Sequence, residues 1–322
     1  RARASLFAMR ELASSNPPPS TFRAELLERF DVYESVGYND EGIVLFTGYF
    51  SPILPASLER TERFTSPLYT RPDDLITDPV TGIPQGRRTA DGTVVPYYTR
   101  REIEDGNLFA GRELVWLEDD LASFIVHVNG SAKLRMPDGS SMFVGYAGKT
   151  DRPYASLGRA MIEAGLIGRG EVSLQGIRDA YDEQPDAVRE LMFENESYVF
   201  FMEYPADNWP AGSLGFPVTR ERSLATDKSI YPRGGLVLVE TEITTHNRGN
   251  LEFVQFMLDQ DTGGAIKAPG RADIFMGVGP MARILAGGQK AEGRLYYFFL
   301  KPEYVADYLP DDPADRLAAA TD

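Results

Sequence analysis

The sequence contains no cysteine. That excludes disulfides, thiolate-ligated zinc, iron–sulfur clusters and a thiol nucleophile. Histidine is nearly as scarce: His127 and His246 are the two present, far apart and without HExxH-like spacing. Most metal and triad chemistry needs more. No apolar run approaches the roughly 18 residues of a membrane-spanning helix. Positive charge is in short supply, with 33 Lys and Arg against 48 Asp and Glu and a formal charge of −15. The field of the molecule therefore opposes a nucleic-acid partner. Carboxylates, amides, hydroxyls and backbone groups are left to carry any reaction.

What is present is an ordinary globular composition, 43% hydrophobic and 25% charged over 322 residues, a length that suggests two domains. Apolar residues three and four apart predict helices over 5–15 and 21–36, separated by the breaker NPPPS, with Thr21 as a candidate cap. GIVLFTGYF (42–50) has the β-branched and aromatic run of a buried strand. Residues 51–112 are rich in Pro, Gly, Arg and Asp and read as loops, with one helix start at 99–106. Short strands are expected between 113 and 147, FIVHV among them, and helices over 154–194. Strands return from 197 onward, so a β-rich domain interrupted by an insertion is expected.

The chemically informative stretch is DQDTGGAIKAPGRADIFMGVG, residues 259–279. Asp259, Asp261 and Asp273 flank the pair Gly263–Gly264 on or between two predicted strands. The glycines would admit a ligand or another backbone at close range. Ile274 and Phe275 beside Asp273 would raise its pKa and keep a proton available. Local physics leaves two readings open: turn-forming aspartates with a surface Asp273, or carboxylates gathered for chemistry.

DTGGAIK with RADIFMGVG resembles the three-aspartate region of the membrane-bound lytic murein transglycosylase A family. FTGYFSP (46–52), LVWLEDDLASFIVHVNGSAKLRMPDGS (114–140) and VGYAGKTDRPYASLGRAMIEAGLI (144–167) resemble further family segments, in order, from about residue 42 to 300. The resemblance implies a mainly β fold: a double-psi β-barrel split in sequence, a smaller inserted β-rich domain, and N-terminal helices outside the match. Mapped here, 1–50 and 208–322 form the barrel domain, and 51–207 form the other wall of a glycan groove.

The activity implied is cleavage of the β-1,4 bond between N-acetylmuramic acid and N-acetylglucosamine, without water, leaving a 1,6-anhydromuramic end. Asp273 matches the family's catalytic aspartate and is expected to act as acid and then base. Asp261 is expected to support it, and Asp259 to be a turn former. Substrate contacts are expected from Thr47, Gly48, Tyr49, Asn129, Ser131, Lys149, Ser156, Gly263 and Gly264. Asn129 stands where the family commonly has Gln, and Ala132 replaces a usual Gly. Trp116 and His127 read as core, and His246 as exposed. The expected partners are peptidoglycan strands and unspecified cell-wall synthesis or division proteins, with no cofactor and no metal. The expected location is the periplasm, with outer-membrane anchoring a family inference, since no anchor Cys stands in this sequence. Competing readings are a hydrolytic glycosidase, a silent peptidoglycan-binding module, and a metal enzyme with Asp259, Asp261 and Asp273 as oxygen ligands.

Overall fold

The computed structural model describes residues 2–79, 82–168, 170 and 172–308. Helices α1 (Ala2–Ser14) and α2 (Pro19–Arg29) open the chain. The second starts on Pro19, whose fixed φ suits a first helical turn, and no side chain caps it, so Thr21 lies inside the helix. It also stops sooner than its periodicity predicts. Phe30–Glu34 is strand β1, because it pairs with the C-terminal strand from Phe30↔Leu300 to Glu34↔Tyr296. Tertiary pairing overrides helical spacing there.

Strand β2 (Val44–Ser51) follows as expected. The loop-like region then holds five short strands, β3 (Ile53–Ser57), β4 (Ser66–Tyr69), β5 (Leu75–Thr77), β6 (Pro84–Arg88) and β7 (Val94–Val95). Proline hid two of them. β3 pairs with one neighbour up to Pro55 and with another after it, so the missing N–H falls at the change of partner. Pro67 lies in β4, the edge strand of its sheet.

Helix α3 (Arg100–Asp105) begins at a Thr99/Glu102 capping box, and β8 (Glu113–Leu117) follows. The FIVHV segment is not a strand: it lies in α4 (Asp120–Asn129). Asp119 accepts the Ala122 N–H at the start, and Gly130, at φ 72°, ends the helix in the left-handed region. The two caps outweigh the β-branched tract between them. Next come β9 (Ser131–Arg135), β10 (Ser141–Lys149), α5 (Leu157–Glu163), α6 (Leu174–Glu183), α7 (Pro185–Met192) and β11 (Val199–Glu203). The remainder is β12 (Ser223–Ala225), β13 (Gly235–Thr245), β14 (Gly249–Asp261), β15 (Arg271–Val278), α8 (Gly279–Gly288), β16 (Lys290–Leu300) and the short helix α9 (Pro302–Val305). Neither β12 nor α8 was legible beforehand.

β2, β16, β13, β14, β12 and β15 form a ring, since β2 pairs with both β15 and β16, and β1 hangs on the outside of β16. The result is a closed six-stranded barrel, split in sequence as expected, around Val44, Phe46, Val237, Val239, Ile274, Met276 and Leu295. A second, six-stranded sheet, ordered β11-β10-β9-β3-β8-β4, comes from the intervening residues and has its own core. α1 and α2 cover the barrel through Ala8, Leu12 and Leu26 against Leu236 and Phe298. The sheets meet through Ser51 and Ser131, whose hydroxyls are 2.7 Å apart, and through Trp209, whose indole donates to the Val144 carbonyl at 3.0 Å.

Candidate active site

β15 runs parallel to β2, and the register sets Asp273 beside Thr47 and Phe275 beside Tyr49. The Thr47 hydroxyl donates to Asp273 Oδ1. Arg271, two residues earlier on the same face of β15, donates through Nη2 to Thr47 Oγ1 at 3.3 Å. A guanidinium cannot accept. The threonine proton is therefore directed at the carboxylate, and the second carboxyl oxygen is left for a ligand. Arg271 Nε sits 4.0 Å from Asp273 Oδ1 and has no hydrogen-bond partner. The Asp273 side chain is 15% exposed, enough to be reached. Burial pushes its pKa above the usual carboxylate range. Thr47 and Arg271 pull it back, and the charge of Asp261 pushes it further up.

Asp261, at the end of β14, accepts the N–H groups of Ser213 at 2.9 Å and Thr262 at 2.8 Å on one oxygen. Burial raises its pKa against those bonds. Tyr49 stands close by: burial, then Asp261, push its phenol well above its ordinary value, although its buried hydroxyl makes no well-formed hydrogen bond. Its ring packs on Phe275 at 5.1 Å.

Asp259 is not a turn former. It is fully buried on β14, where Lys228 pairs with Oδ1 while Tyr297 and Thr226 donate to Oδ2 at 2.7 and 2.8 Å. A carboxylate committed to a buried ammonium is not a ligand awaiting a cation, which overturns the three-aspartate metal reading.

The other expected contacts fall differently. Gly48 faces away from Asp273: a Cβ there would lie 2.9 Å from the Ala286 Cα of α8, so packing rather than a ligand requires the glycine. Gly264 lies against Tyr154, where a Cβ would come within 3.2 Å of the ring, and Gly263 lies against Ile266. Asn129 spends its amide N–H on the Ile125 carbonyl at 2.8 Å, which leaves its oxygen. Ser156 caps α5, and Ser131 is buried against Ser51. Lys149 ends β10 half-buried. His127 is a core residue of α4, its Nδ1 accepting the Val199 N–H at 3.1 Å, with burial holding its pKa well below the usual value. His246 is exposed in the turn after β13. Trp116 is half-buried beneath Arg60.

Sequence reasoning missed Arg271, Tyr154, Lys228 and Asp227. Asp227 accepts the Ala268 N–H at 3.0 Å and the Ser229 N–H at 3.0 Å, which ties down the loop leading into β15. The signal was present in SLATDKS, an aspartate two residues after a short strand, but that strand is three residues long and escaped notice.

Residues 45–202 match the family model described as the MltA specific insert domain, and residues 222–299 match that of the 3D domain. The sequence is 35% identical over 268 residues to the membrane-bound lytic murein transglycosylase A of Vibrio cholerae, covering 81% of this chain and 66% of that protein. It is 32% identical over 278 residues to the Escherichia coli protein of the same name, covering 84% and 70%. The chain thus spans about two thirds of the length of these relatives. Among solved structures, a membrane-bound lytic murein transglycosylase from Agrobacterium tumefaciens superposes with a TM-score of 0.77 at 28% identity, covering 95% of this chain and 86% of that one. E. coli MltA with bound chitohexaose superposes with 0.73 at 28% identity, covering 94% and 84%.

Proposed function

The chain belongs to the membrane-bound lytic murein transglycosylase A family, and we propose that it cleaves peptidoglycan between N-acetylmuramic acid and N-acetylglucosamine without water, with Asp273 as the sole proton carrier. The observation that carries this reading is the Arg271–Thr47–Asp273 chain of hydrogen bonds. It holds a carboxyl of raised pKa with one oxygen engaged and the other unengaged.

In the proposed reaction Asp273 gives its proton to the leaving O4 as the C1–O4 bond breaks. The muramic C6 hydroxyl then attacks C1, and its proton passes to the Asp273 carboxylate. The C1–O6 bond closes the anhydro ring, and the enzyme returns to its starting state. An intramolecular nucleophile removes the need for a carboxylate that activates water, because proximity is supplied by the sugar itself. Asp261 suits a supporting role: two backbone N–H groups hold its oxygen, and its charge helps keep Asp273 protonated.

The same proposal divides the chain into a barrel domain (1–50 and 208–322, of which 309–322 lie outside the described residues) and an inserted domain (51–207), with the glycan between them. Thr47 and Tyr49, the Gly263–Gly264 backbone, Lys149, Ser131, Ser156 and the Asn129 oxygen are the proposed surroundings of the sugar. Gly48 contributes by packing. Location in the periplasm and attachment to a membrane are inferred from the relatives' names. No described helix is long and apolar enough to cross a membrane.

The test is a digest of purified peptidoglycan resolved by mass spectrometry. Wild type is expected to release muropeptides lighter by one water than hydrolytic ones, and Asp273→Ala to release none. Reducing-end products from wild type would overturn the mechanism and point to Asp261 as a water-activating base.

A further inference from the structure

Strand alternation predicts that Asp259 and Asp261, two residues apart on β14, point to the same side of the sheet. The pairing of β14 with β12 separates them. Leu224 lies opposite Asp259, but the next residue, Ala225, lies opposite Asp261. Gln260 is therefore an extra residue, a β-bulge in which two residues of one strand stand against one of the other. On the far side of β12, Leu224 pairs with Ile274 and Ala225 with Asp273. Two rows result. Asp259, Leu224 and Ile274 form one, and Leu224 and Ile274 belong to the barrel core. Asp261, Ala225, Asp273 and Thr47 form the other, on the opposite face. Without the bulge Asp261 would follow Asp259 into the barrel, and Gln260 would take its place in the row of Asp273.

Two sets of contacts hold the bulge. The loop before β12 closes on its backbone: a Cβ on Gly212 would lie 2.8 Å from the Gln260 carbonyl oxygen, and the Ser213 N–H donates to Asp261 at 2.9 Å. The second is made by the Gln260 side chain. The buried Ser223 hydroxyl donates to Gln260 Oε1 at 2.6 Å and accepts the Thr219 N–H at 2.9 Å. Gln260 also lines an open cavity of about 300 Å³ with Leu6, Arg222, Phe256 and Leu258. On that side the hydrogen bond, and not close packing, restrains its amide.

We infer that Gln260 is a positioning residue: anchored by Ser223, it fixes the bulge that brings Asp261 onto the face of Asp273. This role rests on the reading of Asp273 as proton carrier given above. Asp273 is surrounded by Arg271 on its own strand, Thr47 and Tyr49 on β2, Asp261 on β14 and Tyr154 after β10. Asp261 in turn is faced by Tyr49 and Lys228. Of the groups around Asp273, Asp261 is the one that rides on the bulge. Displacing it therefore acts on Asp273 as removing its charge would.

The experiment measures the pH profile of kcat/KM on peptidoglycan for the full chain carrying Gln260→Leu, which loses the acceptor. The alkaline limb is expected to move to lower pH, in the direction of Asp261→Asn and by no more than that variant moves it. In the Asp261→Asn background, Gln260→Leu is expected to move the limb no further. Ser223→Ala removes the donor of the same bond and is expected to shift the limb alike, and it decides the matter if Gln260→Leu fails to fold. A second readout needs no turnover. The Ser213 and Thr262 amides, which donate to Asp261, are expected to exchange faster with solvent in Gln260→Leu. An unmoved limb or unchanged exchange overturns the role, and so does a shift that persists in full beside Asp261→Asn. Reducing-end products from wild type would overturn the Asp273 reading and this role with it. Anhydro products with an unmoved limb would overturn the role alone.

Discussion

An acid catalyst has to keep a proton that its surroundings allow it to lose, and the residues around Asp273 set that balance in opposite directions. Burial and Asp261 favour the protonated form, whereas Thr47 and Arg271 favour the anion. Removing the threonine donor therefore raises the Asp273 pKa further, and removing the Asp261 charge lowers it. A group that must be protonated loses activity as pH rises through its pKa. In Thr47→Val the alkaline limb of the kcat/KM profile is expected to move to higher pH, and in Asp261→Asn to lower pH. Shifts of the same sign in both variants would refute the assignment. The Lys228–Asp259 pair is the structural counterpart. Lys228→Met strands a buried carboxylate and is expected to cost about 3–5 kcal/mol in denaturant unfolding. Lys228→Met with Asp259→Leu is expected to recover most of that, because the uncompensated charge has gone.

At the scale of elements, the alternation along β2 decides which residues can act. Thr47 and Tyr49 share the face of Asp273, while Phe46 and Gly48 point the other way. That alternation was legible in FTGYF, because strand period needs no tertiary information. The parallel register joining Thr47 to Asp273 was not, since the two are 226 residues apart and nothing local encodes the pairing. Gly48 shows the limit. Read as a ligand contact, it is a packing position, and Gly48→Val would force β2 off α8. The expected cost is about 1–3 kcal/mol in urea unfolding. FIVHV failed in the other direction. Its composition is that of a strand, and only Asp119 and Gly130, which bracket it as caps, carry the helical information.

At the scale of the molecule, the switch from strand to helix pattern and back made an inserted unit legible, but not which residues of the insertion touch the barrel. Those contacts depend on close approach. Gly264 meets Tyr154 where a Cβ would stand 3.2 Å from the ring, so the loop before β15 and the segment after β10 approach this closely only while that position is bare. The nearest atoms are Tyr154 Cβ and Cγ, at the root of the side chain, so relief takes a shift of a few tenths of an ångström in the loop that carries Tyr154 rather than a turn of its ring. Gly264→Ala should then leave the fold intact, at a cost below about 1 kcal/mol in thermal unfolding, while displacing the two walls around Asp273. Misplacement on that scale is expected to lower kcat/KM on peptidoglycan about tenfold. Tyr154→Gly alone is expected to lower it as well, by removing a wall of the site. If the loss in Gly264→Ala comes from Tyr154 being pushed aside, adding Tyr154→Gly, which removes the Cβ as well as the ring, should bring no further loss, and the double variant should match Tyr154→Gly. Full additivity of the two losses would mean that Gly264 acts through its own backbone and that the contact across the two sheets has no part in catalysis.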